Sequence, residues 1–345
     1  MTIRFASQTE IDNWDKLIIT NPDGGTVFQT IEFAQIKKTN FWNPKFLVID
    51  NIHILVLERK IKIFGYYWYV PKGPGVSSAE ELEQILPSLH AFAKKNNVFT
   101  IKLEPELLET AENIDKLVKY GLKKSKPVQA SNTVIVNISK SIEDIMANFS
   151  SKARGNIRAA QNAGVTTEIM PITDENCALF YEMMSQTING RSHVRSLKYF
   201  RNFWQTHDQT GTGIFMFAKS NDEILAMDFI MILGHKAARK DAASTRDHSI
   251  RGASALLELS AINYLKEKGV KYYDLYGSPP SDQIKNPNHP YYGFGTFKLS
   301  FNPQVTDYIG CYDLIIKPFI YKNWRKFGER IAHRAYFSKH HDLYY

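Results

Sequence analysis

The sequence predicts an α+β protein made of a doubled unit, each half a mixed, mainly antiparallel sheet flanked by helices. Two observations carry this expectation. Residues 89–104 and 262–275 share one layout: a helix with a basic end turns at Asn or Gly into a central strand, and a candidate hairpin precedes each helix. The length of 345 residues also leaves room for two domains of about 100–200 residues each.

In the first half, residues 3–5 read as a short strand, and a helix follows from Glu10. Asn21-Pro22-Asp23-Gly24-Gly25 is turn chemistry. Residues 26–40 are helical after their first few positions, with Lys37 and Lys38 near the C-terminal end, where cations suit the helix dipole. Strands follow at 46–49, 52–58 and 65–70, the last closed by the rigid bend Pro71-Lys72-Gly73-Pro74. Residues 79–95 form an amphipathic helix, kinked or restarted at Pro87. A strand at 98–104, a helix at 109–120 stopped by Gly121, and a strand at 133–138 complete this half.

The second half opens near Ser139 with helices at 142–149 and 151–163, then a strand at 165–170 and helices at 174–188 and 197–205. A hairpin pairs 214–219 with 224–233, and a helix at 253–268 leads into a strand at 270–276. The expected domains are 1–138, 139–315, and a basic, aromatic tail at 316–345.

Late in the chain, Gly293-Phe294-Gly295 precedes an alternating stretch, 296–301. The alternation predicts a strand with Phe297, Leu299 and Phe301 on one face and Thr296, Lys298 and Ser300 on the other. Lys298 is the only charge in this aromatic neighbourhood. It is either a lysine pointing at water or a cation held in a partly dry cleft, aimed at a transient anion.

A composition of 43% hydrophobic and 23% charged residues is that of a soluble globular chain. The net charge of +8 favours a polyanionic partner: nucleic acid, a phosphorylated substrate or an anionic membrane. Cys177 and Cys311 lack ligand-like spacing, so neither a disulfide framework nor a metal site is expected. No apolar run has the length of a membrane span, and the first residues lack a signal peptide's apolar core, so a cytoplasmic protein is expected.

Several stretches, in order, resemble the Fem family of non-ribosomal peptidyltransferases, which build peptidoglycan cross-bridges from aminoacyl-tRNA. They are Phe28-Gln29-Thr30 with Lys37, the Tyr69-Val70-Pro71-Lys72-Gly73-Pro74 bend, and the basic helix Ser151-Lys152-Ala153-Arg154-Gly155-Asn156-Ile157-Arg158. Tyr273-Asp274-Leu275-Tyr276-Gly277 and Gly293-Phe294-Gly295-Thr296-Phe297-Lys298 follow. The resemblance spans about residues 25–315 and implies two tandem GNAT-like domains in a compact form without a helical arm.

It also implies a reaction. An amine on the peptidoglycan stem peptide attacks the aminoacyl-tRNA ester, with no cofactor beyond that co-substrate and no metal. The acceptor would be a UDP-MurNAc-peptide or lipid II. By this resemblance Lys298 stabilises the oxyanion, Phe297 shapes the cleft beside it, and Lys37 and Arg195 grip phosphates, with Lys72 a weaker candidate. Lys152, Arg154 and Arg158 would meet the tRNA. His193 and His289 are candidate bases, or ordinary surface histidines. The tail carries seven cations from Lys317 to Lys339 against Glu329, interleaved with aromatics. A peripheral seat at the inner face of the membrane, tRNA contact, and a packed helix with a basic outer face all fit it.

Two departures bear on specificity: residues 237–244 lack the tyrosines of relatives, and the 278–290 loop is rich in Pro and Asn. An acyl-CoA-dependent N-acyltransferase and a non-catalytic RNA-binding protein are the alternatives. Against the first, Ser249-Ile250-Arg251-Gly252-Ala253-Ser254 lacks two elements of a pyrophosphate-cradling loop.

Overall fold

The computed structural model describes residues 1–188, 195–221, 223–245 and 250–345. The chain begins β1 (Ile3–Phe5), α1 (Gln8–Asp12), α2 (Trp14–Ile18), a 3₁₀ turn (Val27–Gln29) and α3 (Ile31–Thr39). It continues β2 (Asn43–Ile49), β3 (Ile52–Ile61), β4 (Gly65–Val70), α4 (Ala79–Lys95), β5 (Val98–Leu103), α5 (Ala111–Lys119) and β6 (Lys123–Ser125). Next come β7 (Asn132–Thr133), β8 (Ile135–Asn137), α6 (Ile142–Asn148), α7 (Ser151–Asn162), β9 (Thr166–Met170), α8 (Asp174–Ile188) and α9 (Leu197–Gln209). Then follow β10 (Gly213–Ser220), β11 (Glu223–Leu233), β12 (Lys236–Ser244), α10 (Ala253–Glu267), β13 (Tyr272–Asp274) and α11 (Tyr292–Lys298). The last elements are β14 (Thr306–Asp307), β15 (Cys311–Ile315), α12 (Pro318–Asn323), a π-turn (Trp324–Gly328) and α13 (Glu329–His340).

The elements group into two compact units, Met1–Ser131 with Asp307–Tyr345, and Asn132–Thr306. The first holds a sheet in the order β1-β2-β3-β4-β5-β15-β6. Its neighbours are antiparallel except β4 and β5, which run parallel with Trp68 opposite Ile101. Helix α4 covers this sheet. Ser78 caps it by accepting from Glu81 N–H, and Lys94 and Lys95 face the negative end of its dipole. Leu82, Ile85, Leu86, Leu89 and Ala93 fall on one stripe and bury against Trp68, Val70, Ile101 and Leu103. Pro87 lies inside this single helix, which does not restart there. The proline is exposed, so the carbonyl it leaves unpaired faces water.

The second unit repeats the plan in the order β8-β13-β12-β11-β10-β9, again with one parallel pair, β12 and β13. Helix α10 stands to β13 as α4 stands to β5. The turns into the strands use left-handed residues at matching places, Asn97 (φ 58°) and Gly269 (φ 78°). Both halves are thus GNAT-like α+β units.

The division differs from the sequence boundaries at both joints. The 133–138 strand, assigned above to the first domain, pairs as β8 with β13 of the second unit. The second unit ends at Thr306 and not at 315, because β15 pairs with β5 and β6. The 316–345 tail belongs to the first unit, where Tyr321 and Trp324 are buried.

One pH dependence arises in this framework. Asp15 accepts from Ile31 N–H at 2.9 Å at the start of α3. Burial, and then the charge of Glu32, pushes its carboxyl up to about 7. The folded chain therefore holds a proton that the unfolded chain sheds between the ordinary aspartate range and pH 7, so stability falls as pH rises through that window. Asp15→Asn keeps the acceptor and is expected to exceed the parent's stability at pH 8 by about 1–3 kcal/mol. Urea unfolding at pH 5 and pH 8 checks this, with the gain shrinking at the lower pH.

Candidate active site

The stretch around Lys298 is helix α11 and the turn after it, which corrects the strand expected from its alternation. Gly295 N–H bonds to Tyr291 O at 2.8 Å, and Leu299 N–H to Gly295 O at 2.9 Å. Phe297 and Phe301 lie four residues apart as well as two-plus-two, so the short run fits either period. Tertiary packing selects the helix. A β-carbon on Gly295 would sit 2.5 Å from Pro279 Cδ, so this glycine lets α11 seat against the 278–290 loop. Phe301 enters the unit's core, and half-buried Phe297 and Leu299 pack against it.

Lys298 is only 7% exposed. Its ammonium donates to Tyr276 O at 2.6 Å and Gly277 O at 2.5 Å. These carbonyls leave the end of β13 through two consecutive left-handed residues, Tyr276 (φ 51°) and Gly277 (φ 84°). Asp274 braces the turn by accepting from Tyr276 N–H at 2.7 Å. Among the described residues these two carbonyls are the ammonium's hydrogen-bond partners, which leaves a third N–H for an incoming acceptor.

Burial first, and then the charge of Arg239, brings the lysine down to about 7, while Asp274, Glu258 and Asp228 pull it back. The unfolded chain binds this proton up to the ordinary 10.5, so stability rises with pH between those values. NMR titration of the Lys298 side chain should give a midpoint near 7. A midpoint in the ordinary lysine range would contradict the buried geometry.

Behind the lysine lies a charged cluster that the sequence reading missed. Arg239 of β12 donates through Nε to Asp228 Oδ1 at 2.8 Å, and its Nη2 is 2.7 Å from the same oxygen. Its Nε also lies 2.8 Å from Glu258 Oε1 of α10. Tyr273 OH donates to Glu258 Oε2 at 3.1 Å. The guanidinium sits 5.5 Å from the centre of the Phe297 ring, so this aromatic bridges the cluster and α11. Burial raises both carboxyls, Glu258 to about 7, against the pull of Arg239. A signal existed in the sequence for the two carboxylates, each a charge inside an apolar run, Met227-Asp228-Phe229 and Leu257-Glu258-Leu259, whereas Arg239 is followed by Lys240 and Asp241 and does not stand out.

The basic helix α7 belongs to the same unit and starts beside α11. Ser150 caps it, accepting from Ala153 N–H at 3.1 Å, and its own N–H bonds to Ser300 O at 2.8 Å. Phe149 and Phe301 meet edge-on at 5.1 Å. Lys152 and Arg158 are exposed. Arg154 folds back onto the C-terminal carbonyls of α6, donating to Ala147 O at 3.2 Å and to Phe149 O. Arg195 is half-buried and lies 4.3 Å from the Tyr199 ring centre.

Lys37 and Lys72 belong to the first unit. There the Gln29 side chain donates to Pro71 O at 2.7 Å and accepts from Leu55 N–H at 2.6 Å, which ties two of the sequence landmarks together. Thr30 then caps α3, which carries Lys37 buried 5.0 Å from the Phe33 ring centre. Lys72 is engaged internally: it donates to Ala130 O at 2.7 Å and stands 3.5 Å from Glu106 Oε1. His289 accepts from Tyr291 N–H at 3.1 Å as part of a turn, and His193 lies outside the described residues. Among the described residues, no cluster of ligating side chains has metal-site geometry, and no helix is long and apolar enough to cross a membrane.

A GNAT-like fold carried twice, with a buried ammonium set among aromatics, is that of an acyl-group transferase. Residues 7–129, 120–226 and 225–327 match the FemAB family model, and the chain belongs to the FemAB family. It is 21% identical to the lipid II:glycine glycyltransferase of Staphylococcus aureus (strain MRSA252), over 89% of this chain and 92% of that protein. The crystal structure of FemX superposes with a TM-score of 0.80 at 18% identity, covering 93% of this chain and 99% of that one. L-PGS from Bacillus licheniformis shares the fold with a TM-score of 0.53 at 13% identity, over 94% and 97% of the two chains. The protein is an aminoacyltransferase.

Proposed function

We propose that the protein transfers an amino acid from the 3′ ester of aminoacyl-tRNA to the side-chain amine of the peptidoglycan stem peptide, building the interpeptide bridge. The acceptor is a UDP-linked or lipid-linked precursor, met from the cytoplasmic side. The observation that carries this reading is the buried Lys298 ammonium with an N–H to spare.

The amine lone pair attacks the ester carbonyl, and the carbonyl oxygen becomes an oxyanion that accepts the third N–H of Lys298. Collapse expels the ribose oxygen and leaves an amide, and the amine's proton passes to the leaving oxygen through solvent. The ester is already activated, so the step needs only charge stabilisation and positioning. In this reading Phe297 walls the site and Arg195, of the same unit, serves the acceptor's phosphates, whereas Lys72 is held by Ala130 O and Glu106 and Lys37 is buried beside Phe33. Exposed Lys152 and Arg158, with Arg154 between them, meet the tRNA.

Incubation with charged tRNA and muropeptide acceptors, read by mass spectrometry, tests the reading. Turnover of acetyl-CoA without aminoacyl transfer would replace it with an acyl-CoA enzyme, and RNA binding with neither activity would make the protein a non-catalytic binder. The packing at α10 argues against the acyl-CoA alternative. A β-carbon on Gly252 would fall 2.0 Å from Asn156 O, so the backbone of α7 covers the helix start on which a pyrophosphate would rest.

A further inference from the structure

Helix α12, the π-turn and α13 form one continuous helical run in the first unit. Tyr321, Trp324 and Gly328 face its core. Another line, at steps of eight and four residues, carries Phe319 (80% exposed), Phe327 and Ile331 toward solvent. A neighbouring line places Lys322, Lys326, Arg330 and Arg334 every four residues, all exposed. In a straight α-helix such lines drift by about 40° per step. The wider π-turn takes up part of that drift and keeps the apolar and basic lines side by side.

The β3–β4 turn extends the apolar line. Ile63 at its tip is 96% exposed and follows exposed Lys60 and Lys62. Phe64 anchors the turn to the π-turn, with its ring centre 5.8 Å from that of Trp324 and 6.3 Å from that of Phe327. Gly328 permits this approach, since a β-carbon there would sit 3.0 Å from Phe64 Cζ. Among the described residues, Arg325 is held by Glu329 at 3.0 Å, whereas the four cations of the basic line have no carboxylate at ion-pair distance.

We infer that this face of the first unit docks on an anionic lipid bilayer, with Ile63, Phe319, Phe327 and Ile331 entering the headgroup layer and the basic line meeting lipid phosphates. Nucleic acid would satisfy the cations but offers nothing to exposed Ile63, Phe319 and Ile331. An anionic bilayer satisfies both. The inference does not depend on the transfer reaction.

Flotation of the full chain with phosphatidylcholine vesicles, with and without phosphatidylglycerol, tests it. Binding to the anionic vesicles should be at least tenfold stronger. Ile63→Ser with Phe319→Ser, and separately Lys326→Ser with Arg330→Ser, should each lower it about tenfold, with unchanged thermal unfolding because these side chains are exposed. Phe319→Trp should shift its emission to the blue on anionic vesicles only. Equal binding to both vesicle types, or full binding by the Ile63/Phe319 variant, would overturn the proposal. So would a parent chain that binds neither vesicle type but binds RNA, with that RNA binding lost in the Lys326/Arg330 variant. Transfer to a soluble acceptor should remain within twofold in both variants, which separates this result from the fate of the transfer reading.

Discussion

Lys298→Met is expected to slow aminoacyl transfer by a factor of about 10²–10³, the usual cost of one oxyanion donor. The effect is large because the ammonium is shielded from water, where a charge interaction is much stronger than at an exposed site. The substitution should leave the fold intact. Burial already disfavours the charged lysine, and Met supplies a chain of similar length without that cost. Single-turnover transfer with pre-charged tRNA is the measurement, beside urea unfolding of the same variant. An unchanged rate would refute the assignment, and a slow rate accompanied by a lowered unfolding midpoint would reveal a structural role instead. In the parent, the chemical step should also lose rate as pH rises through about 7, because the lysine is charged only below that value.

Arg239→Leu should be the most damaging change to stability, by about 3–5 kcal/mol. It strands Asp228 and Glu258 in the core with no cation between them, and each carboxyl must then take up a proton to remain buried. The loss should therefore be greater at pH 8 than at pH 5. Equal destabilisation at both values would mean that lost packing, rather than stranded charge, is the cause. Lys298 should titrate upward in any folded fraction of this variant, since Arg239 is a charge that holds it down.

The doubled plan was legible in the sequence because it rests on local signals. The α4 boundaries are set by Ser78 and by the basic pair Lys94-Lys95, and Asn97 and Gly269 mark the turns into the two strands. What escaped depends on distant partners. Strand β12 is rich in alanine and carries four charges, so its sequence says little about the place it takes between β11 and β13. Helix α11 obeys two periods at once until the 278–290 loop selects one. Lys298 was identified through the company it keeps in sequence. Its two carbonyl partners depend on the left-handed exit from β13, and the Arg239 cluster depends on three elements meeting in the core.

The position of β15 has a consequence for how the chain is made. Its partner β5 is complete early in synthesis, yet Thr100 Oγ1 waits for Leu314 O, 214 residues downstream. The second unit is continuous and can fold while the first still lacks a strand. Until then β5, buried along its whole length in the finished sheet, presents an unpaired apolar edge. The first unit is therefore the late-folding, aggregation-exposed half, and a nascent chain stalled before residue 311 would be the species that chaperones must cover.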